Sequence, residues 1–138
     1  MKKIVLTLLL SSVVVFSGCL GAAVLGGAVA GVMIYSYVNN ELERKYPKDF
    51  ETTWQATMKA MEQLQFEIEP GKANKDAITG KIEAHMANGT SVWVNLRMEP
   101  KIEDTDVTSV RVRVGSEGDK TVSQYVHDRI KQNLKVPE

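Results

Sequence analysis

The chain has 138 residues, 43% of them hydrophobic and 25% charged, which suits one domain with a single modest core. Lys2 and Lys3 are the only charges before residue 41, so 15 basic residues stand against all 17 acidic ones in the remainder. That balance lacks the basic footprint of a nucleic-acid binder, and the single cysteine, Cys19, can form neither an internal disulfide nor a zinc site.

Met1-Lys2-Lys3 is a positive n-region, and residues 4–15 form an apolar h-region of the length a secretory signal uses. No A-x-A-like cleavage site follows. Phe16-Ser17-Gly18-Cys19 stands there instead and resembles the bacterial lipobox, in which the thiol is joined to diacylglycerol and the chain is cut just before it. The resemblance implies a signal peptide over residues 1–18, cleavage between Gly18 and Cys19, and a lipidated Cys19 as the first mature residue. The competing reading of Cys19 is a buried thiol acting as a small hydrophobe. Each buried acyl methylene contributes about 0.8 kcal/mol, and one chain alone anchors only marginally, so two or three chains are what would hold the protein on a membrane. Leu20 is not the aspartate that retains enterobacterial lipoproteins at the inner membrane. By that resemblance the expected location is the periplasmic face of the outer membrane, with the inner membrane as the alternative.

Residues 20–38 are uncharged and near the roughly 20 residues that span a bilayer as a helix. Ala23, Gly27 and Gly31 repeat every four positions, a small-residue stripe that lets helix backbones approach closely. Three readings remain open for this segment: an apolar tether, a membrane-associated or self-associating helix, and a transmembrane span. Tyr35 and Tyr37 suit a membrane–water interface and support the second. Residues 19–40 therefore form one expected unit, and residues 41–138 a periplasmic domain.

Within that domain, residues 41–46 (ELERKY) read as a short strand, and Pro47 with Asp49 as N-cap starts a helix. Phe50, Trp54, Thr57, Met58, Met61 and Leu64 recur at helical spacing over residues 49–65. Phe66 and Ile68 give a short strand ending at Pro70-Gly71. Over residues 77–86, Ile78, Gly80, Ile82, Ala84 and Met86 alternate with polar positions. Asn88-Gly89 then signals a type I′ hairpin turn, both of whose central residues need positive φ. Val92, Val94, Leu96 and Met98 continue the alternation, and a charged loop over residues 100–106 leads to Val110, Val112 and Val114. The final helix, residues 119–134, places Val122, Tyr125, Val126, Ile130 and Leu134 on one stripe. The expected fold is an α+β two-layer sandwich, β-α-β-β-β-β-α, with an antiparallel sheet of about five strands and two helices on one face.

No catalytic constellation stands out, and the sequence implies neither an enzyme nor a cofactor or metal. His85 and His127 have no metal-spaced partner and read as surface polar residues; no serine sits in a nucleophile elbow. Gly115-Ser116-Glu117-Gly118-Asp119 reads as a turn with a helix cap, since its two acids would already occupy the positive helix end. The alternation does place His85, Trp93, Arg97, Arg111 and Arg113 on the sheet face away from the helices. Tryptophan and arginine are enriched at recognition surfaces, so this face is the candidate partner-binding surface.

The motifs Glu41-Leu42-Glu43-Arg44 with Pro47, the Trp54 helix, Gly80-Lys81-Ile82-Glu83-Ala84, and Arg113-Val114-Gly115 with Gly118-Asp119 resemble a family of small bacterial lipoproteins of unknown function. A looser likeness, in architecture alone, is to accessory lipoproteins of the outer-membrane β-barrel assembly machinery. Together these imply a membrane-anchored, non-enzymatic binding or scaffolding protein whose partner is another envelope protein or a second copy of itself. The alternative is a small-ligand or catalytic site between helices and sheet.

Overall fold

Tyr35 begins the part of the chain that the computed structural model describes, which is residues 35–136. Cys19, Gly18 and the stripe of Ala23, Gly27 and Gly31 lie outside it. The elements are β1 (Tyr35–Val38), β2 (Glu41–Tyr46), α1 (Phe50–Gln63), β3 (Glu67–Lys75), β4 (Thr79–His85), β5 (Ser91–Ile102), β6 (Thr105–Val114) and α2 (Lys120–Leu134). The strands form one antiparallel sheet in the order β1-β2-β6-β5-β4-β3. Both helices of the described residues cover the same face, giving the two-layer α+β sandwich.

Among the described residues the sheet has six strands rather than five. The added strand is β1, within the stretch read as the end of the apolar segment. Asn39 and Asn40, at φ 53° and 65°, fold it back on β2 in a two-residue turn, and asparagine tolerates that left-handed region. The same geometry recurs at Glu103-Asp104, at φ 47° and 63°, so the expected charged loop is instead the tip of a long β5–β6 hairpin. At Asn88-Gly89 only Gly89 has positive φ; its N–H donates to the Met86 carbonyl, making a type I turn closed by a left-handed glycine, not type I′. Pro70-Gly71 does not end β3 either. The register shifts between Ile68 and Ala73, and the strand passes through that irregularity to Lys75.

Asp49 caps α1 by accepting from the Thr52 N–H at 2.8 Å, and Asp119 caps α2 through Val122 at 2.9 Å. Helix α1 buries Phe50, Trp54, Ala60 and Met61 against the sheet. Trp54 lies directly over Gly80: a Cβ there would come within 2.5 Å of the indole, so the glycine of the GKIEA motif is the seat of the tryptophan. Helix α2 is rotated from its expected stripe. Ser123, Val126, His127, Ile130 and Leu134 face inward, while Tyr125 is 63% exposed. His127 holds an interior position because, as shown below, its ring nitrogens are satisfied there.

Candidate functional site

Strand pleating decides what the open face carries. Leu42, Val112, Val94 and Ile82 form one cross-strand row toward the helices, so the neighbouring row of Glu43, Arg111, Asn95 and Lys81 points the other way. The rows beside it carry Arg113, Trp93 and Glu83 on one side, and Lys45, Ser109, Arg97 and Thr79 on the other. His85 lies beyond Glu83 on the same face of β4, opposite Ser91. All five candidate contact residues therefore share the outer face.

Their environments differ. The Arg113 guanidinium sits 4.4 Å from the Trp93 ring centroid, a cation–π stack that leaves both side chains half-buried. Arg111 donates through Nε to Glu43 at 2.7 Å, and that carboxylate holds the guanidinium's pKa above its ordinary value. His85 Nε2 lies 2.5 Å from Glu69, and its Nδ1 lies 3.4 Å from the Ser91 hydroxyl. His85, on β4, thus ties Glu69 of β3 to Ser91 of β5 through its two ring nitrogens. Lys45 pairs with Glu99, and Lys72 and Lys81 pair with Glu83. Arg97 and Arg113 make no ion pair among the described residues. Arg97, Arg111, Lys81, Asn95 and Ser109 line a concavity of about 540 Å³ on this face.

A second polar group lies inside. Arg44 is 1% exposed and points toward the helices, on the same side of β2 as Leu42 and Tyr46. Tyr46 and His127, both fully buried, face each other beside it. Burial raises the Tyr46 phenol pKa and lowers that of His127 to about 4, so His127 is neutral at physiological pH. This corrects the surface reading of His127. Arg44 was not singled out from sequence, although a strand reading Leu-Glu-Arg-Lys-Tyr places it between two core residues at period two.

The segment at Gly115 to Asp119 is a turn and cap. Its Gly118 carbonyl accepts from the Tyr37 hydroxyl at 2.9 Å, tying β1 to the start of α2. Among the described residues, no group of three or more His, Cys, Asp or Glu is arranged to hold a metal, and no helix is long and apolar enough to cross a membrane. A protein-family model, described as a protein of unknown function, matches residues 2–133. No curated protein matches the chain.

Proposed function

The chain belongs to that family, DUF3568, and from this premise we propose that it is a non-enzymatic, membrane-anchored binding module of the bacterial cell envelope. Its anchor is lipid on Cys19 after removal of residues 1–18, and its location is the periplasmic face of the outer membrane. What supports the anchor is the n-region, h-region and lipobox pattern of the N-terminus.

The observation that carries the binding role is the outer sheet face. Both described helices lie on the opposite side, and this face presents the Trp93–Arg113 stack together with Arg97, neither arginine having a carboxylate partner among the described residues. The other cations around them each reach a carboxylate, Lys72 and Lys81 sharing Glu83, so Arg97 and Arg113 are the cations of this face left without one among the described residues. The partner that fits is an acidic segment of another envelope protein, with Trp93 as the aromatic anchor.

Photocrosslinking in vivo from position 93 tests the face. Fractionation of the native protein beside Cys19→Ser, with a fatty-acid label, tests the anchor: label and membrane retention are both lost in the variant. Equal retention without label would assign the holding to the apolar segment instead.

A further inference from the structure

We infer that the crevice between β1, β2 and the start of α2 binds the carboxylate of a small monoanionic ligand. It has a volume of about 450 Å³, and Tyr35, Tyr37, Arg44, Lys120, Gln124 and Asp128 line it. This site is separate from the outer sheet face and does not depend on it.

Arg44 is the reason. A buried cation is strongly unfavourable unless it is paired and its hydrogen-bonding positions are filled. Here the pairing is incomplete. The two terminal guanidinium nitrogens reach Asp128 Oδ1 only at 3.3 and 3.4 Å, longer than the 2.7 to 2.9 Å typical of charge-assisted bonds. Asp128 is itself 57% exposed, so water screens its charge. The Arg44 Nε is buried and has no acceptor among the described residues. His127, held neutral behind it, contributes no charge.

The rest of the crevice describes the ligand. Tyr35 lies 4.0 Å from the Arg44 guanidinium, and Lys120 Nζ lies 5.7 Å from the Tyr37 ring centroid without an ion pair of its own among the described residues. Two cations and one carboxylate leave one positive charge, which a single ligand carboxylate neutralises. That carboxylate pairs with the terminal guanidinium nitrogens that Asp128 holds only at long range, Lys120 closes over it, and the tyrosine rings flank a flat or apolar body.

Benzoate, with neutral benzamide as its isostere, is the probe, titrated by NMR into the full-length protein in detergent micelles. Benzoate is expected to shift the Lys120 and Gln124 amides saturably while benzamide does not. Lys120→Gln, at an exposed position, should weaken benzoate by about tenfold, the loss of one charge-assisted bond. Asp128→Asn, which removes the competing carboxylate, should tighten it. Trp93→Ala should leave it unchanged, which separates this site from the outer face. Equal responses to benzoate and benzamide, no saturable shift, or undiminished binding in Lys120→Gln would overturn the assignment.

Discussion

The Tyr46 hydroxyl lies 2.9 Å from His127 Nδ1, joining β2 to α2 across 81 positions of sequence. His127 Nε2 lies 2.8 Å from the Leu42 carbonyl, which can only accept, so the imidazole proton is assigned to Nε2. Nδ1 is then the acceptor, and Tyr46 donates to it. A neutral imidazole satisfied at both nitrogens fits an interior position; an imidazolium beside Arg44 does not.

A pH dependence follows from that pair. The folded pKa of His127 is about 4 against an unfolded value of 6.5, so the unfolded chain takes up the proton first as pH falls. The contribution is complete above pH 6.5 and is lost between 6.5 and 4, on the order of 3 kcal/mol in total. About 2 kcal/mol of it should be gone by pH 5, before most carboxylates titrate. Urea unfolding at pH 7 and pH 5 should show this loss, and His127→Gln should remove most of the difference. Equal stability at the two pH values in the native chain would refute the assignment.

Gly118 is fixed for two reasons that a paired experiment separates. Its φ is +75°, and an added Cβ would meet the Asn40 carbonyl oxygen at 2.3 Å, in the turn between β1 and β2. Gly71 has nearly the same φ, +74°, but nothing within 4 Å. Gly71→Ala should cost about 1 kcal/mol from backbone strain alone, and Gly118→Ala about 2 to 4 kcal/mol. The urea midpoints of the two variants give the comparison. Similar losses would mean that the turn moves aside freely.

Trp54 and Gly80 should behave as one unit. Trp54→Ala is expected to cost about 3 to 5 kcal/mol by leaving a cavity, and Gly80→Ala about 1 to 3 kcal/mol by pushing the indole off its seat. In the double variant the new methyl occupies part of the cavity, so the combined loss should fall short of the sum by at least about 0.5 kcal/mol. Strict additivity in a thermodynamic cycle would show that the two side chains do not share that space.

Arg97→Glu is the test of charge on the outer face without a folding penalty. Arg97 is exposed and makes no ion pair among the described residues, so its stability effect should stay within about 0.5 kcal/mol. A larger loss in urea unfolding would mean that Arg97 contributes to the fold and is not reserved for a partner.

Much of the fold was legible because burial on one side of a sheet writes itself as alternation. Val92, Val94 and Leu96 or Val110, Val112 and Val114 could be placed on the covered face, and the five outer-face residues on the open one. The helix around Trp54 was legible in the same way, from its spacing and the Asp49 cap. β1 was not, because Tyr-Ser-Tyr-Val continues an uncharged run and becomes a strand only through an Asn-Asn turn and pairing with β2. His127 and Arg44 were misplaced or passed over for a related reason. Their burial depends on partners far away in sequence, Leu42 and Tyr46 for the histidine and Asp128 for the arginine, which Tyr35 covers only once β1 has folded back on β2. Tyr125 looked like core by hydrophobicity, but the satisfied histidine took the inward position.

The most direct test of the binding role is a photocrosslinking amino acid at position 93, introduced into the full-length protein in cells, with position 125 on the opposite layer as control. The account predicts one specific adduct from position 93, none of that mass from 125, and its loss in Arg97→Glu. No adduct, the same adduct from both positions, or one that survives reversal of the Arg97 charge would contradict it.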